Sequence, residues 1–190
     1  MTTVLLFHHA QGQTKGFLGF ADALRSAGHA VHAPDLFDGQ TFTDLDEGVA
    51  YAKQVGFSQI IDRGSASATD LPADIVYAGF SLGVMPAQSL AQTRPGARGA
   101  LFYSGCLPPS EFDSPWPEGV PVQIHMTEAD PWSDEDRVAA EQLVQEVKDG
   151  ELFLYPGSGH LFADSSLDEY DEQAAGALTE RTLAFLSRVG

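Results

Sequence analysis

Length, composition and charge exclude several classes of protein. The chain has 190 residues, of which 43% are hydrophobic and 19% charged, which predicts one globular domain over residues 1–190 and excludes a disordered chain. The net charge of −17 repels phosphate backbones and anionic membrane surfaces, so we expect neither a nucleic-acid nor a membrane partner.

Cysteine content and the N-terminus favour a cytoplasmic protein. Cys106 is the only cysteine, which excludes an intrachain disulfide and is typical of a reducing compartment. The apolar run at the N-terminus lacks the basic residues of a signal peptide. No stretch approaches the ~20 apolar residues that span a bilayer.

Short apolar runs alternate with longer helical patterns along the chain. The runs contain β-branched or aromatic residues and read as buried strands: Val4–Phe7, Ala30–Ala33, Ile75–Ala78, Ala100–Tyr103, Val122–Met126 and Leu152–Tyr155. Helices are predicted between and after them: Gly16–Ala27, Asp44–Gly56 with Asp44 as cap, a helix after Ser81 that ends before Pro95, Ser133–Lys148 with Ser133 as cap, and Glu172–Arg188.

This alternation predicts an α/β fold, with a mostly parallel sheet of about six strands and helices on both faces. Residues 57–71 and 106–119 carry turn-forming residues, and we expect both stretches to be loops. Acidic residues crowd between Glu128 and Asp136 and between Asp164 and Glu172. We expect these two runs to form a solvated helix start and a solvated surface.

The pattern G-x-S-x-G occurs once, at Gly79–Gly83, directly after a predicted strand and directly before a predicted helix. In this setting the serine lies on a tight, strained turn that exposes its hydroxyl group, and the small residues let the helix pack close to the strand. The pattern therefore predicts that Ser81 is a nucleophile.

A serine nucleophile needs a base and a carboxylate that orients the base. Only His125 and His160 follow Ser81. His125 lies inside a predicted strand, whereas His160 follows the last strand in a glycine-rich turn, at the edge where ligands bind in open α/β sheets. His160 is the predicted base. Asp130, held outside the next helix by a following proline, is the predicted acid, and Glu128 is the alternative.

Two backbone N–H groups are expected to stabilise a developing oxyanion. One belongs to Leu82, the residue after the predicted nucleophile. The other belongs to the loop after the first strand, His8–Gly12, with Ala10 as its predicted donor. Substrate contacts are expected from loop residues at the same edge of the sheet: His9, Gln11, Phe37, Trp132 and Phe162.

These segments resemble the dienelactone hydrolase family of the α/β-hydrolase superfamily, with Ser81 where the better-known members carry cysteine. The likeness spans His8–Gly12, the segment Ala33–Phe37 (Ala-Pro-Asp-Leu-Phe), the serine turn Gly79–Gly83, Asp130 and His160. It implies the α/β-hydrolase fold and a cofactor-free hydrolase that cleaves small esters or lactones through an acyl-enzyme.

Three alternatives remain open at this point. A thioesterase would use the same three side chains. A non-catalytic ligand-binding domain would keep the fold but separate Ser81 from its partners. A metal-dependent hydrolase would use His8, His9 or His160, although neighbouring residues on a strand point to opposite faces, and we expect no metal.

Overall fold

The sheet consists of strands β1 (Thr3–Phe7), β2 (Ala30–His32), β3 (Val76–Phe80), β4 (Gly99–Tyr103), β5 (Val122–Thr127) and β6 (Gly150–Tyr155). The computed structural model describes residues 1–190 and arranges the strands in the order β2-β1-β3-β4-β5-β6, every neighbouring pair parallel. The predicted parallel sheet is therefore confirmed.

The helices are α1 (Lys15–Ser26), α2 (Leu45–Val55), α3 (Phe57–Ser67), α4 (Val84–Thr93), α5 (Asp134–Glu146) and α6 (Glu172–Val189). Side-chain caps fix the starts of α1, α2 and α6, since Thr14, Asp44 and Asp171 each accept a hydrogen bond from an N–H group in the first turn. Ser133 precedes α5 as predicted, but its side chain makes no cap hydrogen bond.

Helices cover both faces of the sheet. One hydrophobic cluster contains the inward side chains of α1 and α6, and the other contains those of α2, α3, α4 and α5. Strands β3, β4 and β5 are buried along their whole length. A fully covered sheet explains why these strands read as continuous apolar runs rather than as alternating ones.

The predicted loop over residues 57–71 is wrong, because most of it forms helix α3. Ile60 is fully buried, and Gly64 lies so close to α4 that an added Cβ would stand 2.3 Å from the Cβ of Pro86. Helices of this length gain most of their stability from tertiary packing, which composition does not reveal. Gly56, with a φ of 95°, separates α2 from α3.

The second predicted loop, residues 106–119, is irregular apart from a short 3₁₀ turn at Pro109–Phe112. Two buried glutamines of α4 hold it. Gln88 bonds the carbonyl and amide of Leu107, and Gln92 donates to the Pro109 carbonyl at 3.1 Å.

Strand order brings the segments of interest to one edge of the sheet. Phe7 pairs with Gly79, so the loop after β1 and the turn after β3 leave adjacent strands. Thr127 pairs with Tyr155, so the loops after β5 and β6 are likewise neighbours. No helix has the length and apolar character that crossing a bilayer requires.

Candidate active site

Ser81 lies on a sharp turn between β3 and α4. Its φ is 49°, in the left-handed region that residues with a side chain rarely adopt. A Cβ on Gly79 would lie 2.1 Å from the Gly83 carbonyl oxygen, and one on Gly83 would lie 2.5 Å from the Phe7 carbonyl oxygen. Both glycines are therefore needed for the turn to close and to pack against β1.

His160 connects Ser81 with Asp130. Its Nε2 lies 2.7 Å from the Ser81 Oγ, and its Nδ1 lies 2.6 Å from Asp130 Oδ2. Both His160 and Asp130 are buried. Since a carboxylate only accepts hydrogen bonds, the proton on the ring lies at Nδ1, which leaves Nε2 free to accept the hydroxyl proton of Ser81.

Asp130 is held as a carboxylate by several donors. Burial alone would raise its pKa, but hydrogen bonds from His160, the Ser133 hydroxyl and the Trp132 N–H, together with attraction to His160, lower the pKa below its usual value. The alternative acid, Glu128, is exposed and its carboxylate makes no hydrogen bond to His160. The geometry thus selects Asp130 over Glu128 as the partner of His160.

The segment that carries His160 is fixed by a second carboxylate. Glu169 accepts hydrogen bonds from the backbone N–H groups of His160 (2.8 Å) and Leu161 (2.9 Å). Thr127, at the end of β5, donates to the Gly159 carbonyl at 3.1 Å. These contacts hold the imidazole in place although it follows a glycine-rich turn.

The loop after β1 leaves buried N–H groups without a partner, that of Ala10 among them. The N–H of Gln11 donates to His9 Nδ1 (3.2 Å), and that of Gly12 donates to the His9 carbonyl (3.0 Å). Ala10 is buried, and its N–H donates neither to a backbone carbonyl nor to a side chain. Leu82 lies in the first turn of a 3₁₀ helix, where N–H groups have no partner within the helix.

His9 contacts neither Ser81 nor an open pocket, which corrects the prediction that it lines the site. Its Nε2 lies 2.8 Å from Asp164 Oδ2, and its ring packs edge-on against Phe17 and Phe80. The carboxylate of Asp164 also accepts hydrogen bonds from Thr14 and Ser166. These bonds outweigh the effect of burial, which would raise the pKa of Asp164, and hold that pKa well below its usual value.

The three histidines of the metal hypothesis do not share a ligand position. His8 Nδ1 bonds the His9 carbonyl and its Nε2 accepts from the Leu36 N–H, so both ring nitrogens are occupied. Burial lowers the pKa of His8 to about 4, and its ring is neutral. No group of three or more histidine, cysteine, aspartate or glutamate side chains is arranged to hold a metal ion.

Two residues that were predicted to contact the substrate lie in the core instead. Phe37 is fully buried and packs against His8 and Tyr51, and Phe162 is buried against Tyr155. Neither offers a substrate any exposed surface. Trp132 does, since 46% of its surface is exposed and its ring centroid lies 6.2 Å from that of His160.

An open cleft of about 670 Å³ lies at the same edge of the sheet. The predicted contact Gln11 lines it, as does Glu169, whose carboxylate binds the backbone at His160. Most of its lining is polar: Gln11, Gln13, Thr14, Lys15, Thr41, Phe42, Thr43, Asp44, Leu45, Ser166, Leu167, Asp168 and Glu169. Lys15, exposed and without a salt bridge, is its one cation.

His125 and Cys106 lie in the core. His125 bonds Tyr155 and Gln123 within it, and burial together with the charge of Arg181 lowers its pKa to about 3. Burial raises the pKa of the Cys106 thiol, which excludes a reactive thiolate there.

Sequence reasoning missed the contacts that Ser133, Asp164 and Glu169 make in the candidate active site. The expectation that Asp164–Glu172 is a solvated surface is wrong at Asp164, which is buried. The one sequence feature that could have pointed to Asp164 and Glu169 is the recurrence of carboxylates within a few residues of His160. Such a run is more often solvated, so it did not single out these residues.

Comparison with protein families and curated proteins gives two matches. The model of the dienelactone hydrolase family matches residues 1–190. A protein of Bradyrhizobium sp., described as a probable 2-oxo-3-(5-oxofuran-2-ylidene)propanoate lactonase, is 31% identical over 119 residues. That alignment covers 57% of this chain and 48% of the relative, so the chain matches about half the length of that protein.

Solved structures share the fold at low sequence identity. Dienelactone hydrolase from Anabaena variabilis superposes with a TM-score of 0.69 at 18% identity, covering 99% of this chain and 86% of the other. Esterase 2 of Thermogutta terrifontis gives 0.66 at 18% identity, covering 100% and 83%. A hydrolase of the α/β superfamily from Xanthomonas campestris gives 0.60 at 19%, covering 97% and 99%. The predicted α/β-hydrolase fold is confirmed.

Proposed function

Because the chain belongs to the dienelactone hydrolase family, we propose that it hydrolyses small carboxylic esters or lactones through an acyl-enzyme on Ser81. The single observation that carries the proposal is the position of His160, whose two ring nitrogens bond Ser81 Oγ (2.7 Å) and Asp130 Oδ2 (2.6 Å) at once. A base in hydrogen-bond reach of a hydroxyl and itself oriented by a carboxylate is the arrangement that activates serine.

In the first half-reaction, Ser81 Oγ attacks the carbonyl carbon of the substrate while His160 Nε2 takes the hydroxyl proton. The imidazolium that forms carries its second proton at Nδ1, directed at the Asp130 carboxylate. The lowered pKa of Asp130 keeps this group negative, so it stabilises the imidazolium electrostatically without accepting its proton.

The oxyanion of the tetrahedral intermediate needs donors already in position. The unpartnered N–H of Ala10 and the first-turn N–H of Leu82 are the two candidates. A buried N–H with no partner is unfavourable in the free protein. It becomes favourable when negative charge develops beside it, which is how such donors lower the barrier.

His160 then returns its proton to the leaving oxygen, and a water molecule activated by the same imidazole releases the acid. With a lactone, the leaving alcohol stays attached to the acyl group, and water yields a hydroxy acid. The Bradyrhizobium relative described as a lactonase supports including lactones. The polar cleft borders this edge of the sheet through Gln11 and Glu169, but neither Ser81 nor His160 lines it, so it does not define the acyl group that the enzyme accepts.

The non-catalytic alternative requires Ser81 to be separated from His160 or Asp130. The direct hydrogen bonds between these residues, together with a φ of 49° at the serine, favour the catalytic proposal. Backbone strain at a serine whose hydroxyl is hydrogen-bonded to a buried histidine is a feature that binding folds have no need to retain.

Covalent labelling tests the proposal. A fluorophosphonate should label the wild-type protein stoichiometrically, and Ser81→Ala should abolish both the label and the hydrolysis of short acyl esters and lactones. Ser158→Ala changes an exposed serine in the turn before His160 and should label like wild type. A folded wild-type protein that never labels and hydrolyses none of these substrates would refute the proposed function.

A further inference from the structure

The loop after β1 is shaped largely by one side chain. His9 accepts the N–H of Gln11 with its ring nitrogen Nδ1 and that of Gly12 with its carbonyl, whereas the N–H of Ala10 has no partner. Because His9 Nδ1 accepts a hydrogen bond, the ring proton lies at Nε2. It is donated to Asp164 Oδ2 across 2.8 Å.

Asp164 anchors the other end of this contact. It is buried, and four donors converge on its carboxylate: His9 Nε2, the Thr14 hydroxyl, and the N–H and hydroxyl of Ser166. It accepts no hydrogen bond from Ser81 or His160. The reaction proposed above therefore leaves a second buried histidine–aspartate pair without a role.

We propose that His9 and Asp164 are positioning residues, which fix the tautomer and ring orientation of His9 so that its Nδ1 holds the Gln11 N–H and aims the neighbouring Ala10 N–H at the oxyanion. This inference rests on the proposed function. Asp164 orients the His9 ring as Asp130 orients the His160 ring. The oriented His9 fixes a backbone N–H donor, whereas the oriented His160 acts as a base.

The pair also joins the two halves of the site. His9 belongs to the loop after β1, whereas Asp164 lies four residues after His160 and donates its N–H to the Leu161 carbonyl at 2.9 Å. The segment that carries the base and the loop that carries the oxyanion donor are thereby held in one fixed arrangement. A mispositioned donor loses much of its effect, since transition-state stabilisation depends on its exact placement.

Two substitutions of His9 separate the two hydrogen bonds. In His9→Asn the side-chain oxygen takes the place of Nδ1 and keeps the Gln11 contact, while the link to Asp164 is lost. In His9→Gln the side-chain amide reaches Asp164, while the Gln11 contact is lost. Removing a whole oxyanion donor lowers kcat by about 10²–10³-fold. We therefore expect His9→Gln to lower kcat by about 10- to 100-fold with little change in KM, and His9→Asn to stay within about threefold of wild type.

A thionoester compared with its oxygen ester reports on the oxyanion hole itself, because sulfur is a weak hydrogen-bond acceptor. The ratio of kcat for the ester to kcat for the thionoester should fall in His9→Gln and stay near the wild-type value in His9→Asn. His125→Gln is the matched control, because it replaces a buried histidine of β5 that has two hydrogen bonds and none to this loop. It should destabilise the protein without changing the ratio.

The inference is overturned if His9→Gln keeps the wild-type kcat, if both His9 variants lose kcat equally, or if kcat falls at a constant ester-to-thionoester ratio. In each case Ser81 labelling of the wild type would still stand, so the proposed function would survive. Should His9→Gln fail to fold, ¹⁵N spectra of the wild type decide. A proton at Nε2 of His9 supports the inference, and a proton at Nδ1 refutes it.

Discussion

At the scale of single residues, the site combines a strained backbone with strongly held carboxylates. Ser81 and Ser104 both adopt positive φ angles, 49° and 55°. A Cβ on the next residue, Gly105, would lie 3.4 Å from the Ser81 carbonyl oxygen, so the two turns are neighbours. Such conformations are unfavourable by about 1–3 kcal/mol each and persist only where the surrounding packing enforces them. Here that packing comes from β1 and α4.

Asp130→Asn tests the orienting role of the carboxylate at this scale. The amide would turn its NH₂ group toward His160 or leave Nδ1 unbonded, which favours the tautomer with its proton at Nε2, where it cannot accept from Ser81. We expect kcat to fall by about 10⁴-fold, the size of effect that the wrong tautomer has in serine hydrolases. Steady-state kinetics on a short acyl ester, with folding checked by circular dichroism, measure it.

Glu128→Gln is the matched control, because this exposed acid on the same loop does not contact His160. It should keep the wild-type kcat. A loss of less than about tenfold in Asp130→Asn, or an equal loss in both variants, would contradict the assignment of Asp130.

Local patterns predicted the three residues that the structure brings together and on which the proposed chemistry depends. Ser81 lies in a five-residue motif with a strand before it and a helix after it, and Asp130 and His160 each follow a strand at the correct edge. The residues that support them, Asp164 and Glu169, carry no comparable signal. Their roles arise from contacts with His9 and with the backbone at His160, between segments far apart in the sequence, and charge alone predicted them to be exposed.

At the scale of secondary-structure elements, α3 marks where pattern reasoning failed. Its sequence has three serines and a glycine, and its large apolar residues are two isoleucines and one phenylalanine, so its apolar stripe is narrow and its turn-forming residues suggested a loop. The helix instead packs against α4, so closely that a Cβ added to Gly64 would stand 2.3 Å from the Cβ of Pro86. Glycine here permits a close approach of two helices, which no local rule detects.

Gly64→Ala tests this contact. Its new Cβ would lie 2.3 Å from Pro86 Cβ and 3.3 Å from Phe7 Cε1, so α3 and α4 would have to separate. Overpacking of this kind destabilises by about 1–3 kcal/mol, reduced by up to about 1 kcal/mol through the better helix propensity of alanine. We expect a net loss of about 1–2 kcal/mol in the free energy of unfolding, measured by urea denaturation.

Gly176→Ala provides the comparison, since Gly176 lies exposed in α6 and an added Cβ meets nothing within 4 Å. That variant should gain up to about 1 kcal/mol from helix propensity alone. If Gly64→Ala also stabilised the protein, the close packing of α3 against α4 would not hold in solution.

At the scale of the whole molecule, two kinds of buried group set how stability responds to pH. The net charge of −17 comes from 27 acidic and 10 basic side chains. Among the acids, Asp130 and Asp164 have lowered pKa values. Both carboxylates stabilise the fold at pH values above about 4, which is the pKa of aspartate in an unfolded chain. Their contribution to stability is lost only as the pH falls below that value. The buried neutral histidines affect the free energy of unfolding at higher pH.

Burial lowers the pKa of His8 to about 4 and that of His125 to about 3, against about 6.5 in an unfolded chain. At pH 7.5 both rings are neutral in either state. Between pH 6.5 and these lowered values the unfolded chain binds protons that the folded chain does not, so lowering the pH favours unfolding. The two histidines together should reduce the free energy of unfolding by about 3 kcal/mol between pH 6.5 and pH 5.

Urea denaturation between pH 7.5 and pH 5 measures how the free energy of unfolding changes with pH. The His125→Gln variant removes the contribution of one of the two histidines to this slope. As the pH falls toward the isoelectric point of about 4.4, relief of repulsion among the carboxylates works in the opposite direction, but it does so equally in wild type and variant. The difference between the two slopes therefore reports the histidine alone. His125→Gln should start less stable at pH 7.5, because its contacts with Tyr155 and Gln123 are disturbed, and should then lose about 2 kcal/mol less than wild type on acidification to pH 5. Parallel slopes would mean that His125 is protonated or accessible in the folded state, contrary to its position in the core.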